Sequence, residues 1–181
     1  PETTGAIGSY RGDVSTATQQ YYQNNFAGDF PGLTTNQVNA FSGKDFEPSP
    51  LNRVLEQAAP GKDWHLGGGH GIHFGYGANA ANVVSSYHAT LTFSNNTYSP
   101  SLVANGYYGA GELYKNTTKD ENHDGTSSTL HTTEEFTDKQ GRVVLKRTYA
   151  LVGSTETAHD TYYVYDDYGN LTYVLPPLVD T

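Results

Sequence analysis

The chain has 181 residues, no Cys, and a formal net charge of −9 from 10 Lys and Arg against 19 Asp and Glu. The lack of Cys excludes disulfides and thiolate metal sites, and the lack of a basic cluster argues against nucleic-acid binding, which depends on neutralising phosphates. No apolar run approaches the ~20 residues of a membrane-spanning helix, so we expect no membrane insertion.

The first 45 residues are rich in Gly, Asn, Thr and Gln and show little periodicity. Residues 1–45 are therefore predicted to be an irregular segment. Its exception is STATQQYYQNNF, where Tyr21, Tyr22 and Phe26 recur at helical spacing and Ser15 is a candidate N-cap. This stretch predicts one short helix.

The next stretch, FEPSPLNRVLEQAAPG, is compatible with two structures. Ser49 as N-cap, Pro50 at the first helical position and a stop at Pro60 would make a short helix. A turn through Pro-Leu-Asn followed by Arg53-Val54-Leu55 would instead make an extended hairpin strand. We favour the extended alternative.

Further along, VVSSYHATLTF alternates between two faces and predicts a β-strand. Asn95-Asn96 is predicted to be the turn that follows it, and Asn105-Gly106 a second turn. The next strand is predicted to run through Leu113 and Thr117. Abundant Tyr and Thr, both favourable in sheets, support a β-rich protein.

Two stretches near the end of the chain share a pattern. In EFTDKQGRVVLKRTY and YYVYDDYGNLTYV, Asp138 and Asp166 each precede a glycine by three positions, and Gly141 and Gly169 lie 28 residues apart. An Asp at the first turn position accepts a hydrogen bond from the backbone two residues on, and Gly adopts a positive φ without strain. Both stretches are predicted to be strand–turn–strand hairpins, and such a period suggests stacked repeats.

These stretches resemble the YD repeat of the Rhs family, whose pattern is Tyr-x-Tyr-Asp-x-x-Gly. With FEPSPLNRVLEQAAPGKDW and LYKNTTKDEN, they resemble the module that opens the repeat array in large secreted Rhs proteins of Bacteroidota. The resemblance implies an all-β fold of antiparallel hairpins in a curled sheet, with at most short helices. By the same resemblance, residues 46–181 are expected to be a shell segment. Six motif residues would have structural roles in it: Tyr163, Tyr165, Asp166, Gly169, Asp138 and Gly141.

The resemblance also implies a role. Family repeats form a hollow shell that in many members encloses a C-terminal toxin, so we expect a non-catalytic shell segment of a larger secreted or cell-surface bacterial protein. Its partners would be the remainder of that shell and an enclosed toxin or other cargo. Residue 1 is Pro and Met is absent, which we interpret as a processed product or fragment. A Tyr-rich last hairpin with few charges further predicts weak self-association.

Other chemistry is less well supported. Asp120, Asn122 and Asp124 match the first half of a calcium-binding loop, but His131 stands where a bidentate Glu is expected, so calcium binding is a minor alternative to a polar turn. His65, His70 and His73 match no zinc motif. No nucleophile motif is present, so no cofactor and no enzyme activity are expected.

A surface adhesive or glycan-binding module is the alternative function, because exposed tyrosines can stack on sugars.

Overall fold

The computed structural model describes residues 10–177. By its contacts the chain divides into two compact units, residues 1–72 and residues 73–181. The boundary predicted after residue 45 is a different one, because it separates irregular sequence from sequence with strand periodicity. That boundary stays a prediction.

The first unit contains a helix, two short 3-10 turns and a hairpin. The helix α1 spans Val14–Asn25, the 3-10 turns span Ala27–Asp29 and Thr35–Gln37, and strands β1 and β2 span Gly43–Phe46 and Val54–Ala58. The two strands pair antiparallel. Within residues 10–177, no helix is long and apolar enough to cross a membrane.

The short helix is confirmed, but its predicted start is wrong. The position before the helix is Asp13, and Ser15 lies within the first turn of α1. Asp13 makes no capping hydrogen bond with its side chain, because its carboxylate accepts hydrogen bonds from Arg11 Nε and Nη2 at 3.0 and 2.8 Å.

The extended alternative for residues 46–61 is confirmed, and the helix starting at Ser49 and Pro50 is wrong. The backbone N–H of Glu47 donates to the carbonyl of Arg53 (2.9 Å). The Arg53 guanidinium donates two hydrogen bonds to the Glu47 carboxylate, at 2.9 and 2.7 Å. Asn52 has a φ of 49°, which breaks a helix. The backbone hydrogen bond, the ion pair and the left-handed Asn52 all belong to a hairpin turn and not to a helix.

The second unit is a set of antiparallel strands. Their bounds are β3 Ile72–Ala78, β4 Ser85–Ser94, β5 Thr97–Tyr107, β6 Tyr114–Lys119, β7 Thr132–Thr137, β8 Val143–Val152, β9 Thr155–Tyr165 and β10 Leu171–Leu175. Within this unit the sheet order is β3-β6-β7-β8-β9-β10, and β4 and β5 form a separate hairpin. The all-β fold class is confirmed: the protein is mainly antiparallel β-sheet, with a short helix and an irregular N-terminal part.

The β4–β5 hairpin contains one predicted turn that is confirmed and one that is wrong. Asn95 and Asn96 both have positive φ, 50° and 58°, as a tight two-residue hairpin turn requires. Asn105 and Gly106 instead lie within β5, where the pairing register shifts between Ser85 and Tyr87 of β4. Gly106 has a φ of 78°, and a glycine of this conformation suits a β-bulge as well as a turn.

The core of the second unit lies on one face of the sheet. In β7 the buried residues Thr132, Glu134 and Phe136 alternate with partly exposed ones, as expected for a strand with one covered face. The core cluster comprises Val84, Leu113, Phe136, Val144 and Leu145, with Tyr108 and Tyr162 packed against it. The two hairpins that share the Asp-x-x-Gly pattern thus flank and supply this core.

Candidate functional site

The first Asp-x-x-Gly turn joins β7 to β8. The N–H of Gly141 donates to the carbonyl of Asp138 (3.0 Å), and the N–H of Asp138 donates to the carbonyl of Arg142 (2.9 Å). Asp138 Oδ1 accepts the N–H groups of Gln140 and Arg142 at 2.9 and 3.0 Å, and Oδ2 accepts Arg142 Nε at 2.8 Å. Gly141 has the predicted positive φ, 83°.

The second turn joins β9 to β10 with the same bonds. The N–H of Gly169 donates to the carbonyl of Asp166, and the N–H of Asp166 to that of Asn170, both at 3.0 Å. Asp166 Oδ1 accepts the N–H groups of Tyr168 and Asn170 at 3.0 and 2.8 Å, and Oδ2 accepts Asn170 Nδ2 at 3.1 Å. Gly169 has a φ of 84°. The two turns are therefore copies of one structure.

Both carboxylates are stabilised in their charged form. Burial tends to raise the pKa of Asp138, but hydrogen bonds from the backbone and side chain of Arg142 and from Gln140 outweigh it and lower the pKa. Burial opposes a lowered pKa at Asp166 too, and the hydrogen bonds from Asn170 and Tyr168 again prevail. Each turn depends on an ionised carboxylate.

Tyr165 connects the two turns. Its hydroxyl donates to the carbonyl of Val143, the first residue of β8, at 3.0 Å. The Arg142 guanidinium lies over the Tyr165 ring, 4.7 Å from its centroid. A motif tyrosine of the second hairpin therefore rests on the residues that close the first turn.

The neighbouring tyrosine Tyr162 is packed rather than open. Its ring contacts that of Tyr87 edge-on at 5.1 Å between centroids. Its hydroxyl accepts the N–H of Ser85 and donates to Asp160, each at 3.4 Å. Burial raises the pKa of Tyr162, as expected for a phenol within the sheet packing.

Tyr163 lies at a polar cleft of about 300 Å³ beside these turns. The cleft is also lined by Tyr87, Tyr108, Tyr165 and Arg142. Two of these rings are committed to protein contacts, since Tyr165 is bridged to β8 and Tyr108 packs against the core. The arrangement is typical of cross-strand aromatic packing.

A second set of charged groups was not singled out from the sequence. Arg147 holds Asp160 through two hydrogen bonds of 2.7 Å. Glu134 accepts a hydrogen bond from the Tyr149 hydroxyl at 3.0 Å and pairs with Lys115 at 2.5 Å. Burial and the Glu134 charge raise the pKa of Tyr149 to about 12. Only strand register brings these residues together, so local sequence carries no signal of the network.

The calcium-loop residues form turns of the kind expected for a polar connection. Asp120 Oδ1 accepts the N–H of Asn122 at 2.8 Å. Asp124 Oδ1 accepts the N–H and hydroxyl of Thr126 at 2.9 and 2.5 Å. In residues 10–177 no group of three or more His, Cys, Asp or Glu side chains is placed to hold a metal ion. Calcium binding at Asp120, Asn122 and Asp124 stays a hypothesis.

His123, between these acids, is a buried residue that the sequence analysis missed. It is 7% exposed. Its Nδ1 accepts the N–H of Gly125 and its Nε2 donates to the carbonyl of Ser128, both at 3.0 Å. The imidazole therefore anchors the loop between β6 and β7.

One family of proteins matches part of the chain. A family described as a domain of unknown function (DUF6443) matches residues 1–78. Neither a curated protein nor a solved structure matches the chain. The family match ends before both Asp-x-x-Gly turns, so it assigns them no role.

Replacing a turn glycine should destabilise the protein. Gly169→Ala and Gly141→Ala are each expected to lower the free energy of unfolding by roughly 1 kcal/mol or more, because alanine is strained at positive φ. Gly77→Ala is the matched control, since Gly77 lies in β3 without positive φ and with open space around it. Urea unfolding measures all three, and equal effects at Gly77 and Gly169 would contradict the turn geometry.

Acid should weaken the turns. Because the folded pKa of Asp166 lies below its ordinary value of 3.8, its contribution to stability is full above that value and is lost as the pH falls through the folded pKa. Between pH 5 and the acid limit of folding, Asp166→Asn should therefore lose less stability than the wild type. Urea unfolding across this range is the measurement, and parallel pH profiles would argue against an ionised Asp166.

Proposed function

We propose that this chain is a non-catalytic structural segment of a YD-repeat shell. The shell would enclose or present a C-terminal toxin or other cargo within a larger secreted or cell-surface bacterial protein of the Rhs type. The segment would act by stacking hairpins, so that its turns and tyrosines build a wall instead of a reaction site.

The observation that carries this proposal is the contact between the two hairpins. They repeat every 28 residues with the same turn bonds, and Tyr165 of the second donates to Val143 and packs under Arg142 of the first. If each hairpin of an array made this contact with the hairpin before it, units could be added one after another in the same geometry. Repeat proteins of this kind bury a continuous core only by stacking neighbouring units.

The second hairpin offers the backbone part of this contact to a further unit, with Asn170 in place of the arginine. Leu171 and Asn170 hold the positions that Val143 and Arg142 hold in the first repeat. β10 pairs with β9 on one side, and among the described residues no strand pairs with its other side. Leu171 and Val174 are 51% and 49% exposed. In the shell, a tyrosine of the next hairpin would donate to the Leu171 carbonyl.

The packing of the motif tyrosines favours a wall over a glycan-binding surface. Sugar-binding aromatic residues need an open ring face, whereas Tyr165 lies under Arg142 and Tyr162 lies against Tyr87. The adhesive alternative would have to use Tyr163 and the remaining open part of the 300 Å³ cleft.

An exposed edge strand of this composition should give weak self-association. Val174→Lys on β10 is expected to reduce it, because a lysine on the edge opposes strand pairing. Val152→Lys is the matched control, since Val152 is 58% exposed but lies beside the β8–β9 turn. Sedimentation velocity over a concentration series, with amide exchange of residues 171–175, measures the effect.

Two results would count against the shell. Equal loss of association in both variants would show that the β10 edge is not the contact. A monomer at every concentration that binds a neutral oligosaccharide, with binding lost in Tyr163→Ala, would favour the adhesive module.

A further inference from the structure

A half-open groove of about 380 Å³ lies where β3 and β6 meet the loop after β6. Its wall includes His73 and Gly75 from β3, Thr117 and Lys119 from β6, and His123 from the loop. The groove lies apart from the Asp-x-x-Gly turns and does not depend on the function proposed above.

Three hydrogen-bonding side chains converge in this groove. His73 pairs with Lys119, and Gly75 with Thr117, in the antiparallel register of β3 and β6. Because residues directly opposite or two apart share a face of the sheet, His73, Thr117 and Lys119 are on the same side. None of these three side chains makes a hydrogen bond or ion pair to a described residue.

Lys119 differs from the other unpaired lysines in its burial. Lys44, Lys62 and Lys139 also make no ion pair to a described residue, but all three are exposed to solvent. Lys115, on the same strand, pairs with Glu134, and Lys146 lies 3.7 Å from Glu135. Lys119 is partly buried in the groove and has no such partner among residues 10–177.

The Glu134 carboxylate, on the same face of the sheet, is already paired. Glu134 lies opposite Thr117 in the register of β6 and β7. Its two oxygens are taken by Lys115 Nζ at 2.5 Å and the Tyr149 hydroxyl at 3.0 Å. Glu134 therefore does not pair with Lys119.

One wall of the groove is held by hydrogen bonds, and the opposite side leaves room. His123 is fixed through both ring nitrogens, to Gly125 and to Ser128. Gly75 contributes no side chain opposite Thr117, and a Cβ placed there would lie 3.4 Å from Thr117 Cβ. A larger residue at position 75 would occupy the space beside the Thr117 hydroxyl.

We propose that this groove binds an organic carboxylate. A single ammonium group matches a singly charged anion, and the Thr117 hydroxyl and His73 imidazole add donors for the two carboxylate oxygens. The volume exceeds that of the carboxylate alone, so the acid carries a further body, either a small organic acid or a uronic-acid sugar. A phosphate monoester, with about two charges, would require a second cation.

Isothermal titration of the full chain with glucuronate, butyrate and glucose tests the proposal. Glucuronate or butyrate, each with a single carboxylate, should bind saturably and more weakly as salt rises, and glucose should not bind. Their comparison separates a sugar acid from a small acid. Lys119→Gln should weaken binding at least about tenfold, as loss of a charge-assisted hydrogen bond implies.

Two further variants keep the test specific. Gly75→Val should fill the groove and abolish binding while thermal unfolding shows an intact fold. Lys139→Gln, on an exposed turn, makes the same charge change outside the groove and should leave binding unchanged. The proposal is overturned if neither acid binds, if glucose binds as well as glucuronate, or if Lys139→Gln weakens binding as much as Lys119→Gln.

Discussion

An aspartate carboxylate that closes a hairpin turn is the interaction on which the second unit depends. In each Asp-x-x-Gly turn, one carboxylate oxygen accepts two backbone N–H groups and the other accepts the side chain that ends the turn. This fixes the strand register, and a slip of one residue would send every side chain to the opposite face. Phe136 and Val164, each two residues before its aspartate, are both 1% exposed.

The same register sorts the buried face into an apolar row and an ionic row. Phe136, Leu145 and Tyr162 are direct neighbours across β7, β8 and β9, and so are Glu134, Arg147 and Asp160. The ionic row is tolerated because its charges are paired: Arg147 holds Asp160, and Lys115 holds Glu134. Asp160 raises the pKa of Arg147 in return.

Local chemistry decided which features could be predicted from the sequence. The Asp-x-x-Gly turns, the Asn95-Asn96 turn and the all-β class follow from side chains that act on their own backbone. The start of α1 was misplaced because Asp13 pairs with Arg11, and Asn105-Gly106 proved to be a bulge because its partner strand sets the geometry. The Glu134 network and the groove at Lys119 join residues distant in sequence, so no local pattern could reveal them.

The most direct test of the stacking account is a double-mutant cycle of Arg142→Met and Tyr165→Leu, measured as free energies of unfolding in urea. Since Tyr165 docks the second hairpin on the residue that closes the first turn, we expect a favourable coupling of about 0.5 kcal/mol or more. Additive effects of the two substitutions would contradict it and leave the two hairpins as independent turns in one sheet.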